Sequence, residues 1–209
     1  MKRIVTIILA AVMAMSMFGS CALFKGPISD AEAAEILGKL LPEAAILNTY
    51  IWGDAIKPGK AVDEEDENSS VSVYYTVSPD CPYHNTDDFM DDVVKYYSEE
   101  MTKIISQYAF ENSDITRARF CNLYDDKMNV IDMQVDVTGN HAPFELTAVA
   151  LPETAKVKRS TETIIEATLT TLVGEDRNEN ELTIRLLYEN DRWRIDSYNW
   201  IAAVDYING

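Results

Sequence analysis

The side chains able to do chemistry are few and far apart. Cys81 and His84 lie three residues apart in "SPDCPYHN"; Cys121 and His141 are the other thiol and imidazole beyond Cys21. A cysteine nucleophile needs an imidazole within hydrogen-bond reach, and spacing alone supplies neither reach nor orientation. A zinc site needs three or four nitrogen or sulfur ligands, and no HExxH or CxxC grouping provides them. There is no GxSxG elbow, no GxGxxG and no phosphate-cradling glycine loop. Asp132 and Asp136 share a face of the alternating stretch "MNVIDMQVDV". They could do acid–base work if one were buried with its pKa raised; otherwise they form a solvated strand face. The expectation is a chain that is not an enzyme and uses no metal or cofactor.

A different kind of chemistry is written at the N-terminus. "MKRIVTIILAAVMAMSMFGSC" has a basic start, an apolar run and Gly19-Ser20 immediately before Cys21. The run is shorter than the ~20 residues that span a bilayer comfortably and has the layout of an export signal. An ordinary cut after Ser20 would leave bulky Phe18 at the third position before it. A lipobox fits better: cleavage before Cys21, whose thiol carries a diacylglyceryl group. Residues 1–20 are then the signal peptide, 21–28 a tether and 29–209 a single domain, facing outside the cytoplasm on the cell membrane. The two acyl chains hold such an anchor firmly where one would not.

Charge narrows the partners. The chain has 35 acids against 18 Lys and Arg, a formal charge of −17, and loses Lys2 and Arg3 with the signal. Nucleic acid and anionic lipid headgroups both repel such a protein. Asp63, Glu64, Glu65, Asp66 and Glu67 form a continuous acidic run in "KPGKAVDEEDENSS", read as a solvated loop that could also steer a partner. It lacks the glycine and distal Glu of an EF-hand. In an exported protein Cys81 and Cys121 could bridge; alternatively they are two free, buried thiols acting as small hydrophobes.

The elements that must position these groups follow from periodicity. Ser29 and Glu32 form a capping box, and Ala33, Ile36, Leu37, Leu40, Leu41, Ala44, Leu47 and Ile51 recur at helical spacing. Pro42 predicts a kink or split in that helix. "SVSVYYTV" reads as a strand. Thr86 is placed to cap a second helix through Phe110, with a bend at Ser98 and an inner face including Phe89, Val93, Tyr97, Met101, Ile104 and Tyr108. Asp125-Asp126-Lys127 reads as a turn before a strand carrying Ile131, Met133, Val135 and Val137 on one face. Residues 157–173 read as one long alternating run. Leu182, Ile184, Leu186 and Tyr188 then face inward, and "RWRIDSYNW" closes the meander with Trp193 and Ile195. Helices first and strands afterwards argue for an α+β fold, with N-terminal helices on a curved antiparallel sheet. The last hairpin resembles the closing strands of the NTF2-like, cone-shaped folds. Tyr74, Tyr75, Tyr83, Trp52, Trp193 and Trp200 could line a ligand cavity there, but strand aromatics more often fill a core.

"LLPEAAILNTYIWGDAI", "YYTVSPDCPYHNTDDFMDDVVKYYSEEM" and "RARFCNLY" resemble segments of bacterial lipoproteins similar to the DL-endopeptidase inhibitor (IseA-type) family. The likeness spans about residues 36–124: Asn48 to Gly53 after the first helix, the Tyr74 to Val77 strand, and Tyr83 in the turn opening the second helix. The resemblance implies a non-catalytic brake on NlpC/P60-type enzymes that cut wall stem peptides. The alternative from another class is a lipoprotein holding a small ligand in an NTF2-like cavity, and an enzyme using that cavity is a third. A deep apolar cavity would favour the ligand binder, and a filled core with an exposed loop or edge would favour the regulator.

Overall fold

Ser29 starts the first helix. Its hydroxyl accepts from the Glu32 N–H at 3.3 Å, and the Glu32 carboxylate accepts from the Ser29 N–H at 2.8 Å. Two N–H groups left open by a helix start are thereby satisfied. In the computed structural model, which describes residues 27–52, 55–61, 74–111, 118–136, 148–174 and 176–197, this helix α1 runs Asp30–Ile51. It passes through Pro42 as one helix rather than splitting. A proline ring presses on the carbonyl four residues back, and that residue is Gly38, whose bare backbone can tilt aside. Ile28, read from sequence as tether, is instead buried, and its N–H donates to Ser160 Oγ at 2.9 Å.

Two helices follow α1: α2 (Thr86–Tyr96) and α3 (Glu99–Ala109). The cap of α2 is Asn85, not Thr86; its side chain accepts from the Asp88 N–H at 2.7 Å. Ser98 caps α3 by accepting from the Met101 N–H at 3.2 Å. The restart at Ser98 changes the helical phase, so Ile105 and Ala109 are fully buried while Ile104 and Tyr108 are only partly so. Tyr97, at the joint, is fully buried and its hydroxyl donates to Asn48 Oδ1 of α1 at 2.6 Å.

The strands are β1 (Pro58–Ala61), β2 (Tyr74–Val77), β3 (Phe120–Tyr124), β4 (Val130–Asp136), β5 (Val149–Ser160), β6 (Ile164–Val173), β7 (Asn178–Glu189) and β8 (Arg192–Ile195). The start of the expected acidic loop is thus an edge strand. Gly59 allows it: a Cβ there would meet Thr76 Oγ1 at 2.7 Å and two backbone oxygens at 3.0 Å. The run from 157 to 173 is two strands, turned at Thr161, whose hydroxyl accepts from the Ile164 N–H at 3.0 Å. Asn190 and Asp191 both hold positive φ, 50° and 62°, the tight hairpin turn whose twist matches its strands.

The fold is α+β and both sheets of the described residues are antiparallel, but the expected single sheet is two four-stranded sheets, ordered β1-β2-β4-β3 and β5-β6-β7-β8. Strand β5 presents its free edge to the start of α1: Asp30 Oδ1 accepts from the Val157 N–H at 2.8 Å and its other oxygen meets Lys156 Nζ at 3.2 Å. An edge covered in this way is closed to further strands. Helix α1 packs along β5, and α2 packs against α1 and β8. One hydrophobic core, from Ile28 to Ile195, joins the helices to both sheets.

Candidate functional site

Of the groups singled out for chemistry, His84 and Asp132 meet and Asp132 lies near enough to act on Cys81. His84 Nδ1 lies 2.8 Å from Asp132 Oδ1; an ionised carboxylate only accepts, so the proton sits on Nδ1. Asp132 Oδ1 also accepts from the Met133 N–H at 2.8 Å. Asp136 is buried, its N–H donating to the Arg119 carbonyl at 2.8 Å. The two aspartates are therefore neither a solvated face nor a facing pair. Cys81 and Cys121 are free, half-buried thiols, not a bridge. Burial pushes both thiols up, with Asp132 adding to it at Cys81 and Asp136 at Cys121. A raised pKa disfavours the thiolate that nucleophilic chemistry uses. No cluster of three or more His, Cys, Asp or Glu suited to a metal occurs among the described residues. Cys21, Asp63, Glu64, Glu65, Asp66, Glu67, His141 and Trp200 lie outside the described residues.

The aromatic residues fill the interior. Tyr83 stacks on Phe89 at 4.3 Å and 4°, and Phe89 meets Phe110 and Phe120 at 5.3 and 5.5 Å. Trp52 lies 4.1 Å from Tyr108, and Trp193 packs on Tyr188 at 5.2 Å. Edge and offset contacts of this kind add to the area that large rings remove from water. The Tyr83 hydroxyl donates to Asp92 Oδ2 at 2.7 Å; burial and then that carboxylate hold the phenol far above its ordinary pKa. The buried Arg119 guanidinium donates to the Ile51 carbonyl at the end of α1 and lies 5.2 Å from the Phe120 ring. Burial lowers its pKa, while Tyr108 opposes the shift. It places a cation where helix carbonyls lack partners.

A shallow trough of about 350 Å³ lies on sheet β5–β8. The register of β5 breaks beside it, between Leu151 and Lys156. Thr154 holds that bulge, donating to the Leu151 carbonyl at 2.7 Å and accepting from the Thr170 N–H at 2.8 Å. Hydroxyls and carboxylates line most of it, with Leu169 the one large apolar side chain. It has the character of a wet surface fold rather than an enclosed ligand cavity.

Apolar surface gathers instead on the β3–β4 hairpin. Tyr124, Met128, Val130 and Ile131 are 46, 75, 42 and 59% exposed. Tyr124 pairs with Val130 and Leu123 with Asp132, so Ile131 is an extra residue in β4. A bulge turns its residue out of the alternation, which is why Ile131 leaves the inner face expected for it while Met133 and Val135 remain buried. The turn is longer than the predicted Asp125-Asp126-Lys127 and includes Met128 and Asn129. Asp125 Oδ1 accepts from the N–H groups of Lys127 and Asn129 at 2.8 Å each, and its Oδ2 accepts from Asn129 Nδ2 at 2.9 Å. The Asn129 contacts hold the Asp125 carboxyl below its usual pKa. These tip residues escape the sequence reading because "MNVI" continues an alternating strand. The available signal was Asn129 four residues after Asp125, a spacing that lets the side chains close a turn. No protein-family model matches the chain, and no characterised protein matches it significantly.

Proposed function

We propose that this chain is a non-catalytic binding protein of the cell envelope, held to the membrane through a lipid on Cys21, that inhibits cell-wall DL-endopeptidases. The observation that carries the reading is the filled interior. The rings of Tyr83, Phe89, Phe110 and Phe120 occupy one another's contact space, so the recognition surface is sought outside. Among the described residues, every carboxylate whose pKa moves is lowered, by a hydrogen bond to a lysine, a hydroxyl, an amide or the backbone; general acids near neutral pH need the opposite. Helix α1 against β5, followed by a long antiparallel meander, supports an NTF2-like reading of the second half. The inward residues of that meander, Ile165, Ala167, Ile184, Leu186 and Ile195, are fully buried, which favours a protein partner over a small ligand. The charge of −17 would steer the protein to a basic wall enzyme, with Asp63, Glu64, Glu65, Asp66 and Glu67 as the steering run.

The test is inhibition of a purified NlpC/P60-type endopeptidase by residues 22–209 at low and physiological salt. The expected result is inhibition that weakens as salt rises, through slower association. No inhibition at tens of micromolar at either salt removes this reading and promotes the small-ligand alternative.

A further inference from the structure

The tip of the β3–β4 hairpin holds an exposed apolar side chain on left-handed backbone. Met128 holds φ at 64°, a region in which Cβ crowds the backbone and which glycine enters freely. Its side chain is also 75% exposed, so no burial offsets the strain. Backbone outliers that the surrounding structure enforces are a mark of functional sites. Here the enforcement is the Asp125 clamp, closed from the backbone by Met128 N–H to the Asp125 carbonyl at 3.0 Å and Asp125 N–H to the Asn129 carbonyl at 2.9 Å. At the base, the Ile131 bulge brings a further apolar side chain to the surface, and His84 braces Asp132 from the turn before α2.

We propose that this tip is a docking element: Met128, flanked by Tyr124, Val130 and Ile131, inserts into an apolar pocket with a cationic rim on a partner protein. The inference rests on the binding reading above and names the surface that does the binding. The occupant follows from charge. Asp125 and Asp126 lie in the turn beside Met128 and Asp132 follows Ile131 at its base, against the one ammonium of Lys127 in the turn. A second copy would bring two such sets of acids, each on a chain of −17, into contact. An anionic lipid surface repels them equally. A pocket rimmed by Lys or Arg attracts these acids and then desolvates the tip, the arrangement in which anchors dominate an interface. Methionine suits such an anchor because its unbranched thioether adapts to the shape it enters.

The test replaces Met128 by photo-reactive p-benzoylphenylalanine in the full-length chain, in the cell that makes it. Exposed Thr183 on β7 is the comparison position. Irradiation should give a discrete protein adduct from position 128 and none from 183. Mass-spectrometric mapping should place it in a pocket of apolar residues flanked by Lys or Arg. Met128→Gly keeps the turn and removes the side chain. It should melt no lower than wild type while binding the purified, mapped partner at least about tenfold more weakly. Adducts only to lipid or to a second copy, equal yields from both positions, no adduct, or undiminished binding by Met128→Gly would each overturn the inference. A mapped pocket on a protein other than a wall endopeptidase keeps the docking element and removes the proposed target. Inhibition of an endopeptidase that Met128→Gly leaves intact keeps the target and removes the docking element.

Discussion

Tyr97→Phe removes one oxygen from the joint between α2 and α3. The ring stays, so no large cavity opens, but Asn48 Oδ1 loses the hydroxyl that donates to it at 2.6 Å. Asn48 is 3% exposed and Tyr97 is fully buried, so water has poor access to the stranded acceptor. A buried polar group left without its partner costs about 1–3 kcal/mol. With a urea m-value of about 1–3 kcal/mol/M, the unfolding midpoint should fall by roughly 1 M. Asn48→Leu removes the same bond from the acceptor's side and should also destabilise. The double variant should be less destabilised than the two single costs added together, with a coupling of about 1–2 kcal/mol. Buried Trp52 and Trp193 provide the fluorescence signal in a urea titration. Tyr97→Phe within ~0.5 kcal/mol of wild type, or single costs that simply add, would refute the argument that this one hydrogen bond ties α1 to the α2–α3 joint.

Gly59→Ala should force β1 off β2, because a Cβ would lie 3.0 Å from the Thr76 and Val77 carbonyl oxygens and neither backbone atom can yield cheaply. The expected cost is about 1–3 kcal/mol, with hydrogen-exchange protection lost at Lys60 and Ser78; unchanged protection would contradict it. Stability should also fall in acid. Asp92 is held below its ordinary 3.8 first by Lys95 and then by Tyr83, so its contribution is fully present above the unfolded value and is lost as pH falls through the lower folded one. Asp92→Asn should therefore shrink the drop in melting temperature between about pH 6 and about pH 3, and an undiminished drop would count against the Lys95–Asp92–Tyr83 chain.

Local rules were legible where neighbours in the chain decide the outcome. The Ser29–Glu32 box, the Ser98 restart, the α1 stripe from Ala33 to Ile51 and the inward Leu182, Ile184 and Leu186 all follow from spacing, because a helix or strand brings those positions together whatever surrounds it. The same holds for the charge of −17.

Tertiary contacts settled the rest. "KPGK" pairs with β2 because Gly59 lets two backbones close up, an effect not visible to a count of apolar residues. The meander ends its pairing at β5 because Asp30, more than 120 residues earlier in the chain, caps that edge. Alternation placed Ile131 beside Met133 and Val135, and one added residue in the pairing with β3 reversed it. The candidate docking tip exists for the same reason. Met128 reads as an ordinary strand residue until the Asp125 clamp holds it in a left-handed turn, because exposure and backbone strain belong to the closed hairpin and not to the residue type.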